Sequence, residues 1–519
     1  MILKISLKHL TGIPLCPKNP DKKVERSIAM NITPDCREIE ALAASYPVIP
    51  VCREIFADIV TPITLLRKIA ALGSRYYLLE SIEGGENWGR YSFLGYDPVL
   101  KVSCKDHVVT VHHYHSSKAD QVTETSRPYD VLRNILKDYR SPKLPGLPPF
   151  TGGFVGYFAY SMIGYAEPVL SIKKGDCNDF DLMLFDTVIA YDHLKQKISL
   201  VVNMKTDRVM ENYGKACARL ESIAAMIAEN TPLKKSAVTS RPQFRCNVTK
   251  EEFCTMVERA KEYIVDGDIF QAVLSRQFTS DYHDSLLNAY RVLRTTNPSP
   301  YMVYLHMDDM EIMSTSPETL VRLKDGRLTT FPVAGSRPRG KSEEEDKRLE
   351  EELLADEKEL AEHNMLVDLG RNDLGRIAAF STVEVTGYQM IHRYSRIMHI
   401  CSQVEANITP DRDSFHAIEA VLPAGTLSGA PKIRACEIIE ELESEPRGIY
   451  GGALGYIDFT GNMDTCIAIR MAVKVREKVY VQAGGGIVAD SVPETEYEES
   501  ANKAKAVIKA IETAGEVND

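Results

Sequence analysis

LVRLKDGRLTTF, Leu320 to Phe331, is the stretch from which the fold is read. Two short apolar-polar runs flank Asp325-Gly326, a dipeptide that accepts the positive φ angles of a two-residue hairpin turn. An antiparallel strand pair is therefore expected here. Outward in both directions the same signal returns. Val99, Val102 and Val108 sit around Lys105-Asp106, a second hairpin within a strand-like region from Tyr76 to Tyr114. Strands are expected again from Leu182 to Val202, and a late hairpin should join Ile467–Val475 to Lys478–Ala483.

Helices fall between these runs without regular alternation. One is expected near Tyr129–Tyr139. Another, from about Arg208 to Glu229, has apolar and small residues three and four apart. A third opens at Thr249-Lys250-Glu251-Glu252, a capping box, and stops at Gly267. Antiparallel strands mixed with long helices make an α+β chain rather than a βαβ one.

The 519 residues are 44% hydrophobic, enough for a large core and two to four domains. A formal charge of -11 argues against a nucleic-acid footprint. No apolar run reaches the roughly 20 residues of a membrane span. The 11 cysteines form no C-x-x-C pair, which suits a reducing, cytoplasmic setting. Residues 1–45 lack a sustained period and hold four prolines; they are read as a poorly ordered lead-in. Residues 231–245, also aperiodic, are read as a linker between an N-terminal domain, 46–230, and a C-terminal catalytic domain, 246–519.

Two helical segments carry glutamates three apart: Glu359 and Glu362 in DEKELAEHNM, Glu496 and Glu499 in ETEYEESANK. Residues i and i+3 share a helix face. Alone, each pair reads as a solvated face. If the two faces met, four carboxylates would need a cation, and hard oxygen donors without Cys or His suit Mg²⁺. Gly484-Gly485-Gly486 follows the strand Val479–Gln482 and lets backbone amides approach an anion closely. Gly425 to Lys432 lacks the Walker spacing and is not read as a nucleotide loop. His112, His113 and His115 are read as an exposed strand. No G-x-S-x-G or G-x-C-x-G elbow offers an amide-hydrolysing nucleophile.

Taken together, nine ordered blocks resemble one family, the chorismate-utilising enzymes, and within it the component I group of the anthranilate synthases. They are Ser316–Glu318, Pro332–Gly340, Glu359–His363, Val367–Asp373, Arg393–His399, Gly425–Lys432, Tyr450–Gly452, Ile469-Arg470 and Gln482–Val488. The resemblance spans about residues 48–510. It implies a large antiparallel β-sandwich flanked by helices, with Mg²⁺ held by Glu359, Glu362, Glu496 and Glu499. It implies Glu318 as the acid that helps a hydroxyl leave, with His399 and Thr426 also catalytic. Gly335, Ser336, Tyr450, Arg470, Gly484, Gly485, Gly486 and Lys503 would contact chorismate, Arg470 and Tyr450 clamping the enolpyruvyl carboxylate.

Relatives that make aminodeoxychorismate, isochorismate or salicylate usually hold a lysine where this chain has Ala334. An alanine can be neither nucleophile nor base, so ammonia itself would attack, giving anthranilate and pyruvate. Aminodeoxychorismate synthase, or an enzyme stopping at aminodeoxyisochorismate, is the alternative. Ser336 replaces the more usual threonine and keeps its hydroxyl. Glu80, Ser81, Arg90, Pro300, Tyr301 and Met302 resemble a tryptophan feedback site. The missing glutaminase nucleophile implies a separate glutamine amidotransferase subunit as the ammonia source.

Overall fold

The Asp325-Gly326 hairpin forms as the dipeptide dictates: strands Thr319–Lys324 and Arg327–Thr330 pair antiparallel, with φ of 54° and 82° at the two turn residues. The structure, a computed structural model, describes residues 32–81, 89–229, 238–394 and 397–517. Residues 1–31 of the lead-in, 231–237 of the linker, and Ser395-Arg396 lie outside the described residues.

Among the described residues the strands build two antiparallel sheets, one of 13 strands and one of 12. They stack face to face. Tyr77, Val303 and Ile312 of the first sheet bury against Phe185, Leu454 and Cys466 of the second. Helices cover the outer faces, with Leu220, Leu293 and Val507 of three helices packed under the first sheet. Phe415 and Ile418 of helix Ser414–Val421 pack under the second. The expected α+β class and flanked sandwich are what the chain adopts. Both sheets take strands from either side of residues 231–245. For example, Tyr301–Met307 lies between Arg75–Glu80 and Met310–Ser316.

Several local expectations shift. The second hairpin turns at Asp106-His107, both at positive φ, one residue later than the sequence suggested. Residues 36–43, placed in the disordered lead-in, form a helix capped by Asp35 and Glu38 and anchored by buried Ile39. The signal was the Asp-x-x-Glu box; its helix is too short to show a period. Ile467 does not belong to the late hairpin. It ends strand Met463–Ile467 in the second sheet, and the hairpin is Met471–Val475 with Lys478–Ile487 in the first. Thus the chain changes sheets between Ile467 and Met471. The helix expected over 208–229 spans Val209–Ala228, and the one opening at Thr249 spans Lys250–Val265 with its capping box formed.

Candidate active site

Two paired segments cross between the sheets side by side. Strand Met310–Ser316 of the first sheet becomes Thr319–Lys324 of the second through Pro317-Glu318. Beside it, Met463–Ile467 becomes Met471–Val475 through Ala468–Arg470. The ladder is interrupted there, and single bonds stitch the corner: Ile467 N–H to Glu318 O at 3.0 Å and Thr315 N–H to Arg470 O at 3.1 Å. Arg470 takes φ of 49°, a left-handed conformation that costs a non-glycine residue about 1 kcal/mol. The corner therefore holds a carboxyl and a guanidinium where regular strands would have hidden or splayed them.

Glu318 is half-buried in a cleft with Leu320, Leu366, Val421 and Ile467. Its polar neighbour is Thr426, whose Oγ1 donates to Oε1 at 3.3 Å from the turn Gly425–Leu427. Burial pushes the carboxyl up from 4.5 to about 8, against the opposing pull of Thr426. Glu318 is thus a protonated acid at neutral pH, as a group assisting a leaving hydroxyl must be.

Strand Val333–Pro338 pairs with Ile397–Asn407, but the register slips between Ala334 and Ser336. Gly335 is the bulged residue, at φ of 69°, and its carbonyl lies 3.0 Å from His399 Nδ1. A carbonyl can only accept, so Nδ1 carries the proton and Nε2 presents a lone pair. Burial first, and then the Arg470 charge, hold His399 below its usual pKa, so the ring is neutral and basic at Nε2. Ser336 stands opposite His399, and Ala334 is buried beside the bulge without an amine to offer.

The four glutamates come from helices Glu357–Gly375 and Pro493–Glu512. A Cβ on Gly335 would stand 3.1 Å from Glu359 Oε2; one on Gly485 would stand 3.2 Å from Glu496 Oε2, 3.7 Å from Lys503 Nζ and 4.0 Å from Glu499 Oε1. Both helices therefore lean over glycine backbone. Burial and the charges of Glu359 and Glu499 raise the Glu362 carboxyl above its usual pKa. Glu496 is likewise raised, by burial and by Glu499. Lys503 Nζ meets Glu499 at 2.6 Å, and Ser491 Oγ donates to Glu496 Oε1 at 2.7 Å. Mutual repulsion among hard oxygens suits a divalent cation of the Mg²⁺ class. Among the described residues, no three acidic or histidine side chains converge into a finished metal cage.

Arg470 Nη1 donates to Lys503 O at 3.2 Å, tying the sheet crossing to the Glu496–Glu499 helix. Tyr450 is buried, which pushes its hydroxyl up to about 12. Strand Met471–Val475 pairs with its neighbour only as far as Val481. Gly484–Gly486 run past that end, paired with Gln271–Asp281 on one side and with no strand of the described residues on the other. Three residues here had no signal in the sequence. Buried Glu443 and Arg447 resemble an ordinary surface i,i+4 pair, and Ser275, which accepts from Gln482, sits in an unremarkable strand pattern.

The six residues read as an effector site line one pocket of about 740 Å³, which also holds Tyr91, Phe93 and Tyr456. Within it the Glu80 carboxylate is already engaged, by Arg294 at 2.8 and 3.0 Å and Tyr290 at 2.9 Å, and Arg90 pairs with Asp192 at 2.8 Å. Glu80 is therefore an anchor of the wall rather than a free acceptor. Residues 82–88, next to Ser81, lie outside the described residues. The histidines of strand Val108–His113 and beyond are surface pairs: His112 with Asp120 and His115 with Asp97. In the Gly425–Lys432 stretch, the Lys432 Nζ meets Asp373 at 2.8 Å and Val421 O at 3.1 Å.

Comparison with known proteins fits this geometry. The anthranilate synthase component 1 of Acetivibrio thermocellus is 45% identical over 494 residues, covering 93% of this chain and 99% of that one. That of Aquifex aeolicus (strain VF5) is 45% identical over 493 residues, 94% and 99% respectively. The crystal structure of anthranilate synthase component I from Streptococcus pneumoniae TIGR4 superposes with a TM-score of 0.73 at 35% identity, over 87% of this chain and 98% of that one. The menaquinone-specific isochorismate synthase of Escherichia coli shares the fold, at a TM-score of 0.66 and 17% identity, over 92% of this chain and 98% of that one. With the family model for chorismate binding enzyme matching residues 77–509, the chain belongs to the chorismate-binding enzyme family.

Proposed function

We infer that this chain is the aminating component of an anthranilate synthase, a lyase that converts chorismate and ammonia to anthranilate, pyruvate and water. The observation that carries the reading is Glu318 hydrogen-bonded to Thr426 in the cleft and His399 held at Nδ1 by the Gly335 carbonyl, with alanine rather than lysine at position 334. Ammonia adds at C2 while both ring double bonds shift by one position and the C4 hydroxyl departs. Glu318 gives that hydroxyl its proton, so it leaves as water. His399 Nε2 takes the C2 proton as the enolpyruvyl group is lost and the ring becomes aromatic. Arg470 and Tyr450 hold the enolpyruvyl carboxylate, and the Gly484–Gly486 backbone, Gly335, Ser336 and Lys503 orient the ring. Glu359, Glu362, Glu496 and Glu499 would hold Mg²⁺, which supplies a positive charge to bind and polarise the ring carboxylate.

Residues 246–519 would carry this chemistry and residues 46–230 one wall of a regulatory site for tryptophan. The pocket lined by Ser81, Arg90, Pro300, Tyr301 and Met302, with its aromatic neighbours, has the apolar slot and polar rim an amino acid requires. A glutamine amidotransferase subunit would deliver the ammonia, since the chain has no glutaminase nucleophile of its own.

The test is anthranilate fluorescence from the purified chain with chorismate, Mg²⁺ and excess ammonium at mildly alkaline pH. Anthranilate that disappears on adding EDTA is expected. Chorismate consumed without anthranilate refutes the product; no consumption refutes the enzyme reading. Ser81→Phe should abolish inhibition by tryptophan while leaving turnover intact, and inhibition that persists defeats the regulatory assignment.

A further inference from the structure

Arg447 is almost fully enclosed, its side chain only 1% exposed, and Glu443 beside it is 6% exposed. The two form a double bond of charge: Arg447 Nε to Glu443 Oε2 at 2.8 Å and Nη2 to Oε1 at 2.6 Å. Such a buried pair is poor stabilisation, because desolvating both ions offsets much of their attraction, and apolar replacements of similar size are often as stable. The remaining donors and acceptors of the pair show what else it holds.

They reach three parts of the cleft. Arg447 Nη1 donates to Leu427 O at 2.6 Å, one residue from Thr426, the partner of Glu318. Arg447 Nη2 also donates to Val273 O at 2.6 Å, on the strand that pairs with Gly484–Gly486. On the same strand, Glu443 Oε1 accepts from Ser275 N–H at 2.7 Å and Ser275 Oγ at 2.9 Å. Ser275 stands opposite Gly484, and its Oγ accepts from Gln482 Nε2 at 2.9 Å, just before the glycines. Finally, the guanidinium lies 5.9 Å from the centre of the Tyr450 ring.

We propose that Arg447, locked onto Glu443, is a positioning residue of the chorismate site: a buried fork that holds the Thr426 turn, the strand beneath Gly484–Gly486 and the Tyr450 ring in one frame. The role rests on the reading that this cleft binds and turns over chorismate. It assigns separable effects to the two ends of the network. The Leu427 end sets the acid, so its loss should lower kcat. The Ser275 end sets the glycine backbone, so its loss should raise KM.

The experiment measures chorismate consumption, whatever the product, together with thermal midpoint, for three variants. Glu443→Leu with Arg447→Met replaces the pair by apolar groups of similar size. Its midpoint should stay within a few degrees of the parent while kcat falls about 100-fold, the usual effect of an ångström-scale misplacement. Arg447→Lys restores one charged donor and should recover about a tenth of the parental kcat, because an ammonium cannot reach both carbonyls as a planar fork does. Ser275→Ala, which deletes one hydroxyl, should raise KM for chorismate about fivefold with kcat within twofold. A folded double variant or Arg447→Lys with kcat and KM within twofold of the parent overturns the proposal. So does Ser275→Ala with unchanged KM, and these last two decide the matter if the double variant does not fold. A parent that consumes chorismate without making anthranilate refutes the product assignment alone; a parent that does not consume it removes the basis of both.

Discussion

Replacing Glu318 by glutamine should make the protein inactive and, above neutrality, more stable. The carboxyl is held near pKa 8 in the fold against an ordinary 4.5. A raised folded-state pKa means that the fold binds the proton more tightly than the unfolded chain does. The corresponding stability is fully present below 4.5 and is lost as pH rises through 8. At 1.4 kcal/mol per unit, the loss is about 1 kcal/mol near pH 5, about 3 near pH 7 and about 4 to 5 near pH 8.5. Glutamine has the same shape and no proton to lose, so the variant escapes this penalty. Relative to the parent, Glu318→Gln should therefore gain roughly 3 kcal/mol between pH 5 and 8.5. Its turnover should fall at least about 100-fold for want of a proton donor. Denaturation midpoints of both proteins, followed across that pH range, give the comparison. A stability difference that stays flat with pH would show that Glu318 does not titrate near 8, and the acid role derived from its burial would fall with it.

Three further outcomes follow from single contacts. Thr426→Val removes the hydroxyl that favours ionised Glu318, so the alkaline limb of the kcat/KM profile should move up by about half a unit to one unit; a limb that moves down or stays fixed contradicts the bond. Gly335→Ala forces a side chain into left-handed backbone 3.1 Å from Glu359 Oε2. About 1 kcal/mol or more of destabilisation and a weaker response to Mg²⁺ are expected, and a fully parental melting curve and Mg²⁺ titration would refute that geometry. Arg294→Met leaves the Glu80 carboxylate, 1% exposed, without its cation; a loss of about 3 kcal/mol in urea unfolding is expected, and less than about 1 would mean that Tyr290 and Ser92 suffice.

What the sequence revealed by itself was local or motif-borne. Asp325-Gly326 specified its hairpin, Thr249 to Glu252 their capping box, and Glu359 with Glu362 a shared helix face, because near neighbours alone fix those geometries. The sandwich that the ordered blocks implied is the one that forms. Assembly decided the rest. Nothing near Glu318 in the chain predicts its raised pKa; Leu366 and Val421, far along the sequence, line the cleft that takes it part-way out of water. The tautomer of His399 depends on a bulge at Gly335, 64 residues away. Glu443 and Arg447 look like a solvated pair until two sheets and the 425–427 turn close over them. The change of sheet at Ile467 to Met471 was hidden because both flanks read as strand, and only their partners tell the two sheets apart. Periodicity records which face of an element is apolar, while burial, proton affinity and strand partner are properties of what packs against it.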